Sequence, residues 1–202
     1  MKFFAGLIIY FITINLSGQS CLNYSTFFGQ LQHDEIRGVC SDPSKNIYVI
    51  GNTYNTNLPV TTGAFQSNLK GGYEAFLAKF DSCGSLVWCT YLGTSGFDSG
   101  EKIVYSNDNS IVFCGYTDGM DLDTTFNCFQ TYNRGSYDCF VGKFNTSGSA
   151  QWLTYFGAGG GDFSYDVKTD SLNNIIIGAF YDYDLKYSVY FKSILFLKIM
   201  IS

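Results

Sequence analysis

Thr90-Tyr91-Leu92-Gly93 decides the fold, because it has an earlier counterpart in Thr26-Phe27-Phe28-Gly29 and a later one in Thr154-Tyr155-Phe156-Gly157, each 64 residues away. Self-similarity at a fixed period marks a repeat architecture. The register continues without a gap through Asp34, Asp98 and Asp162, through Gly51 and Gly115, and through Leu58 and Leu122. It also pairs Phe65-Gln66 with Phe129-Gln130, Tyr73 with Tyr137, Lys79-Phe80 with Lys143-Phe144, Gly84 with Gly148, and Trp88 with Trp152. The third copy runs on through Asn174-Ile175-Ile176-Ile177-Gly178 to Leu185, with one residue deleted.

Working outward, each unit contains four apolar or alternating runs separated by turn residues, the pattern of strands. In the first unit they cover Ile36 to Cys40, Ile47 to Thr53, Ala75 to Phe80 and Leu86 to Tyr91. Asp42-Pro43-Ser44-Lys45-Asn46 and Asp81-Ser82-Cys83-Gly84 supply tight turns, and Tyr54 to Gly72 is the long connection. A four-stranded antiparallel sheet this small cannot bury both faces alone and must stack on a copy of itself. The expectation is therefore all-β: four-stranded antiparallel blades of an incomplete, open β-propeller, with units 26–89, 90–153 and a partial 154–185. Phe76, Phe80, Trp88 and Tyr91 are expected to fill the space between blades. Four blades at this period need about 256 residues, so the chain is too short to close and the remaining blades are expected to be missing from it.

Composition agrees and excludes several functions. The chain is 46% apolar and 18% aromatic, with 22 glycines and 2 prolines, enough to fill a core of strands and turns. A net charge of −5 with no basic run removes the footprint that nucleic-acid binding needs. One histidine, His33, rules out His-rich metal sites.

The run Ile47-Tyr48-Val49-Ile50-Gly51-Asn52-Thr53-Tyr54, followed by Asn57-Leu58-Pro59, Gly63-Ala64-Phe65-Gln66, Glu74-Ala75-Phe76-Leu77-Ala78-Lys79-Phe80 and Gly84-Ser85-Leu86-Val87-Trp88, resembles the bacterial SBBP-type β-propeller repeat. The resemblance covers roughly Leu22 to Leu185, and the second copy departs from it at Asp123 to Asn127. It implies a secreted or surface-displayed protein with no catalytic residues. Asp81-x-x-Gly84-x-x-x-Trp88 is also similar to the repeats of quinoprotein dehydrogenases, which implies a central cofactor pocket. No calcium-plus-Asp base pattern accompanies it, and a sialidase would need three arginines where the chain has Arg37 and Arg134.

The ends carry their own expectations. Lys2 followed by the apolar run Phe3 to Leu16 and the small polar stretch Ser17 to Ser20 reads as a signal peptide over 1–20, placing the repeats of 21–185 outside the cell, secreted or attached to its surface. Leu22 to Phe27 corresponds to the last strand of a blade. Residues 186–202 leave the register, carry no glycine, proline or acid, and read as an aberrant apolar tail of frameshifted or fragmentary origin, a bare strand or a marginal helix. Its three lysines argue against a membrane span.

The functional expectation is a non-enzymatic binding or adhesion scaffold, whose partner is an unidentified protein or glycan, with no cofactor and no catalytic residues. The alternatives are a fragment of a quinoprotein-like enzyme and a purely structural surface-layer segment. Asp34, Asp98 and Asp162, one per unit, are the candidates for calcium, against a simpler role in fixing a loop by accepting backbone N–H bonds. Gly29, Gly93, Gly157, Trp88, Trp152, Lys79 and Lys143 are structural markers, with Glu74 and Asp138 as candidate partners of the lysines. The seven cysteines ignore the repeat and lack a Cys-x-x-Cys pair, so they read as buried apolar residues, although an exported chain permits disulfides and Cys114 and Cys139 could fall on neighbouring strands of the second blade.

Overall fold

A computed structural model describes residues 28–29, 33–182 and 194–199. The signal peptide, Cys21, the strand expected over 22–27 and residues 186–193 of the tail lie outside the described residues. Strands and turns make up the described part, with no helix in it.

The first blade is β1 (Asp34–Ser41), β2 (Ile47–Thr53), β3 (Glu74–Phe80) and β4 (Leu86–Leu92), antiparallel and in that spatial order. The second repeats it with β5 (Asp98–Ser106), β6 (Ser110–Thr117), β7 (Asp138–Asn145) and β8 (Ala150–Phe156). The third has β9 (Gly161–Thr169), β10 (Ile175–Asp182) and β11 (Ile194–Ile199). The fold is all-β, and its sheets are stacked, propeller-like blades that do not close. The first strands β1, β5 and β9 pack side by side as the innermost row.

β11 falls within the stretch read as a tail, yet it pairs antiparallel with β10 in the place that β3 and β7 occupy in their blades. Ile176 pairs with Lys198 as Val112 pairs with Lys143 and Tyr48 with Lys79. The lysine register returns after 55 residues rather than 64, so a search at the fixed period passes over it.

The markers acquire physical reasons. The first hairpin of each blade turns through a positive φ at Lys45 (64°), Asn109 (59°) and Asn173 (61°). Gly148 (φ 88°) turns the last hairpin of the second blade, and a Cβ there would lie 3.0 Å from the ring of Trp88 in the blade before. Trp88 also donates Nε1–H to the Thr146 carbonyl at 3.1 Å. The last turn of the second blade therefore seats on the tryptophan of the first.

Between the first two blades lies a core of Tyr48, Ile50, Leu77 and Trp88 against Phe113, Phe140, Phe144 and Tyr155. Of the four aromatics assigned to the gaps between blades, Trp88 points toward the second blade. Phe76, Phe80 and Tyr91 cover the opposite face of the first blade, packed on Phe28, which precedes β1, and on Leu58 and Leu69 of the blade's long connection. Strand alternation puts them on that side, the side on which their counterparts Phe140, Phe144 and Tyr155 meet the preceding blade.

Tyr91 also explains the repeated Thr-Tyr-x-Gly. Its hydroxyl accepts from the Leu58 N–H at 3.0 Å and donates to the Asn55 carbonyl at 2.6 Å. Tyr155 does the same for Leu122 N–H and the Gly119 carbonyl. Thr90 Oγ1 accepts from Gln66 N–H and Thr154 Oγ1 from Gln130 N–H, so each long connection is latched to the outer strand of its own blade.

Candidate functional site

The three inner strands share an irregularity. Ladder pairing skips Arg37 between Ile36 and Gly38, Glu101 between Gly100 and Lys102, and Tyr165 between Ser164 and Asp166. Each is the extra residue of a β-bulge, and the three stand 64 residues apart. Bulges re-aim a side chain away from the regular alternation and recur beside binding sites. Glycine gives room opposite the first two bulges: a Cβ on Gly51 would lie 2.1 Å from the Glu35 carbonyl oxygen, and one on Gly115 would lie 2.0 Å from that of Ser99, whereas the third bulge has Ala179 across from Ser164.

Around the bulges the polar groups form one network. Arg37 Nη2 donates to Glu101 Oε1 at 3.1 Å, and its Nε lies 3.7 Å from Glu35 Oε1. Glu35 Oε1 accepts from Tyr73 Oη at 2.7 Å and Asn52 Nδ2 at 3.1 Å. Asn52 bridges to the second blade by accepting from Gly100 N–H at 2.7 Å, and Ser99 Oγ donates to Glu101 Oε1 at 2.7 Å. The Tyr73 hydroxyl, the Asn52 amide and Arg37 outweigh burial and hold the Glu35 carboxyl below its usual range. The Glu101 carboxylate raises the Arg37 guanidinium in turn. The cluster sets two acidic side chains, Glu35 and Glu101, against one guanidinium.

Aromatic rings flank this network across all three blades. Tyr54 lies 4.6 Å from Tyr73, which stacks on Phe97 at 4.7 Å. Tyr116 lies 5.0 Å from Phe163 and 6.0 Å from Tyr165. Tyr165 is 51% exposed and Tyr54 44%. His33 is exposed beside Tyr54.

The residues singled out in the sequence fall elsewhere. Asp98 is fully buried and accepts from Thr94 N–H and Thr94 Oγ1, both at 2.8 Å. Burial pushes its carboxyl up to about 6. Asp162 accepts from Ala158 N–H at 2.8 Å, and Asp34 from Thr53 Oγ1 and Asn55 Nδ2. Each secures the start of its blade. Among the described residues no three His, Cys, Asp or Glu side chains are grouped to hold a metal ion.

The pairing assigned to the lysines is corrected. Lys79 Nζ donates to the Thr146 carbonyl and lies 5.1 Å over the Tyr48 ring, while Lys143 pairs with Asp108. Glu74 and Asp138 lie buried at the opposite ends of β3 and β7. Glu74 accepts from the Lys70 and Gly71 N–H groups and from Gln66 Nε2, and Asp138 from Arg134 N–H and Gln130 Nε2. They keep step with Asp98 and Asp162 across Gly93 and Gly157, where a Cβ would strike both acidic side chains. Burial lifts Glu74 to about 7. Groups so perturbed attract attention as catalysts. These are sealed in the loop anchors, out of reach of a substrate.

Cys114 and Cys139 do occupy neighbouring strands, but β6 and β7 pair Cys114 with Val141 and Tyr116 with Cys139, so the thiols are diagonal. Diagonal positions are about 7–8 Å apart, beyond usual disulfide reach. All six described cysteines are free thiols.

No protein-family model matches the chain, and no curated protein matches it in sequence.

Proposed function

We propose that this chain is an exported, non-enzymatic β-propeller repeat protein of the SBBP type that serves as a binding or adhesion scaffold. The observation that carries the reading is the contrast between frame and bulge. Asp, Gly, Trp, Lys and the Thr-Tyr-x-Gly latch recur from blade to blade, whereas the bulged residue is Arg37, then Glu101, then Tyr165. A repeat that keeps these framing residues while the bulge carries a different side chain in each blade, as does the neighbouring position at Glu35, Ser99 and Phe163, supports recognition rather than a single chemical step. The carboxylate nearest the solvent-facing network, Glu35, is kept ionised by its donors and is poorly suited to give up a proton at neutral pH.

Two measurements test the proposal. Mass spectrometry of the exported protein is expected to find a mature N-terminus between Ser17 and Cys21. An intact Met1 on exported material counts against export. Quinone absorbance after incubation with a quinone cofactor, with dye-linked oxidation of alcohols, would mark a quinoprotein enzyme and overturn the scaffold reading.

A further inference from the structure

Resting on the scaffold reading, we propose that Arg37, Glu101 and Tyr165, with Glu35 beside them, form a subsite for a neutral saccharide. The ladder skips all three bulged residues, so none of them is needed for pairing, and adjacent inner strands set them next to one another. Tyr165 stands on β9, packed beside the β5 strand that carries Glu101, with its ring 6.0 Å from that of Tyr116. Arg37 and Tyr165 face solvent, with Glu35 partly exposed beside them and the Glu101 side chain, 7% exposed, held behind Arg37.

Their chemistry matches a sugar. A pyranose offers vicinal hydroxyls, which a carboxylate accepts from and a guanidinium donates to, and a C–H face that lies against an aromatic ring. Arg37 presents five donors, and its ion pairs with Glu101 and Glu35 use its Nη2 and Nε. The bonds from Arg37 and Ser99 both arrive at Oε1 of Glu101. Arg37 is 40% exposed and Tyr165 51%, open enough to be covered by a ligand. Mutual hydrogen bonds through Asn52 and Ser99 hold the polar groups in place before any ligand arrives, which lowers the entropy cost of binding. Two carboxylates against one guanidinium disfavour an acidic sugar. A protein partner would call for a deep apolar socket for an anchor residue, and these groups offer a polar, aromatic-edged surface instead.

The experiment titrates the full chain with cellohexaose, laminarihexaose and mannohexaose, and with hexagalacturonate as the acidic control, by calorimetry. Binding of at least one neutral hexasaccharide is expected, weakened at least tenfold in Tyr165→Ala and in Arg37→Met, with hexagalacturonate weaker than any neutral ligand bound. Glu101→Gln, which keeps an acceptor for Ser99, is expected to weaken binding less than Arg37→Met. Thermal melts of the variants within a few degrees of the parent separate lost contacts from lost folding. Undiminished binding in Tyr165→Ala and Arg37→Met overturns the subsite and leaves the scaffold reading standing. Failure of all three neutral hexasaccharides, or preference for hexagalacturonate, likewise overturns the subsite. Release of shorter sugars from a bound hexasaccharide overturns the non-enzymatic reading, while the variants still decide where the sugar sits.

Discussion

Gly148→Ala tests whether the blades interlock through Trp88. Gly148 has φ 88°, where an L side chain costs roughly 1–2 kcal/mol. Its new methyl would lie 3.0 and 3.2 Å from two atoms of the Trp88 ring. Trp88 is only 7% exposed and tied to Thr146, so it cannot swing aside cheaply. Overpacking of this kind costs roughly 1–3 kcal/mol more. Gly63 is the internal control, since it has φ 82° and a Cβ added there would meet nothing within 4 Å. Gly63→Ala should therefore cost about 1–2 kcal/mol and Gly148→Ala about 2–5 kcal/mol. Urea unfolding followed by fluorescence of the two tryptophans, Trp88 and Trp152, measures both. In a Trp88→Leu background the excess should vanish, leaving the two alanine substitutions about equal. Equal costs in the parent chain, or an excess that survives removal of the indole, would refute the interlock.

Four further outcomes are expected. Glu74 and Asp98 have folded pKa values raised to about 7 and about 6 by burial, so between about pH 4 and pH 7 the folded chain holds more protons than the unfolded one, and stability should fall as pH rises through that window. Glu74 alone is worth up to about 3 kcal/mol, and Asp98→Asn should flatten the pH profile of Tm. Tyr91→Phe should cost about 1–3 kcal/mol and speed proteolysis within residues 54–72, because the Leu58 N–H and Asn55 carbonyl lose their partner. Lys45→Asn should stabilise by up to about 1 kcal/mol in the same unfolding assay, since Asn109 and Asn173 hold the equivalent positive φ. With an aromatic disulfide reagent at pH 8, Cys83 should react first and Cys40, Cys89 and Cys114 only on unfolding, because Cys83 is exposed and burial pushes the other three thiols up to about 12.

The period and the strands were legible because hydrophobic alternation and turn residues act locally. Ile47–Thr53 is recovered as read, and the other strands of the first blade are recovered to within two residues. Two kinds of information were hidden. The pairing of Lys79 with Glu74 fails on distance, since five residues of extended strand separate them by about 16 Å, a check the sequence itself permits. The bulge is a matter of backbone register, which composition does not report. Its trace was present in Gly51 and Gly115, each required by a carbonyl pressing in from the neighbouring strand. β11 escaped for a related reason, because its lysine returns at a shortened interval.

The bulge also bears on how such a protein changes over time. A residue outside the ladder contributes no alternation to its strand, so exchanging arginine for glutamate or tyrosine there leaves every neighbour facing the same way. A change at that position leaves the pairing of its strand intact, and duplication of a 64-residue unit brings with it one more residue outside the ladder.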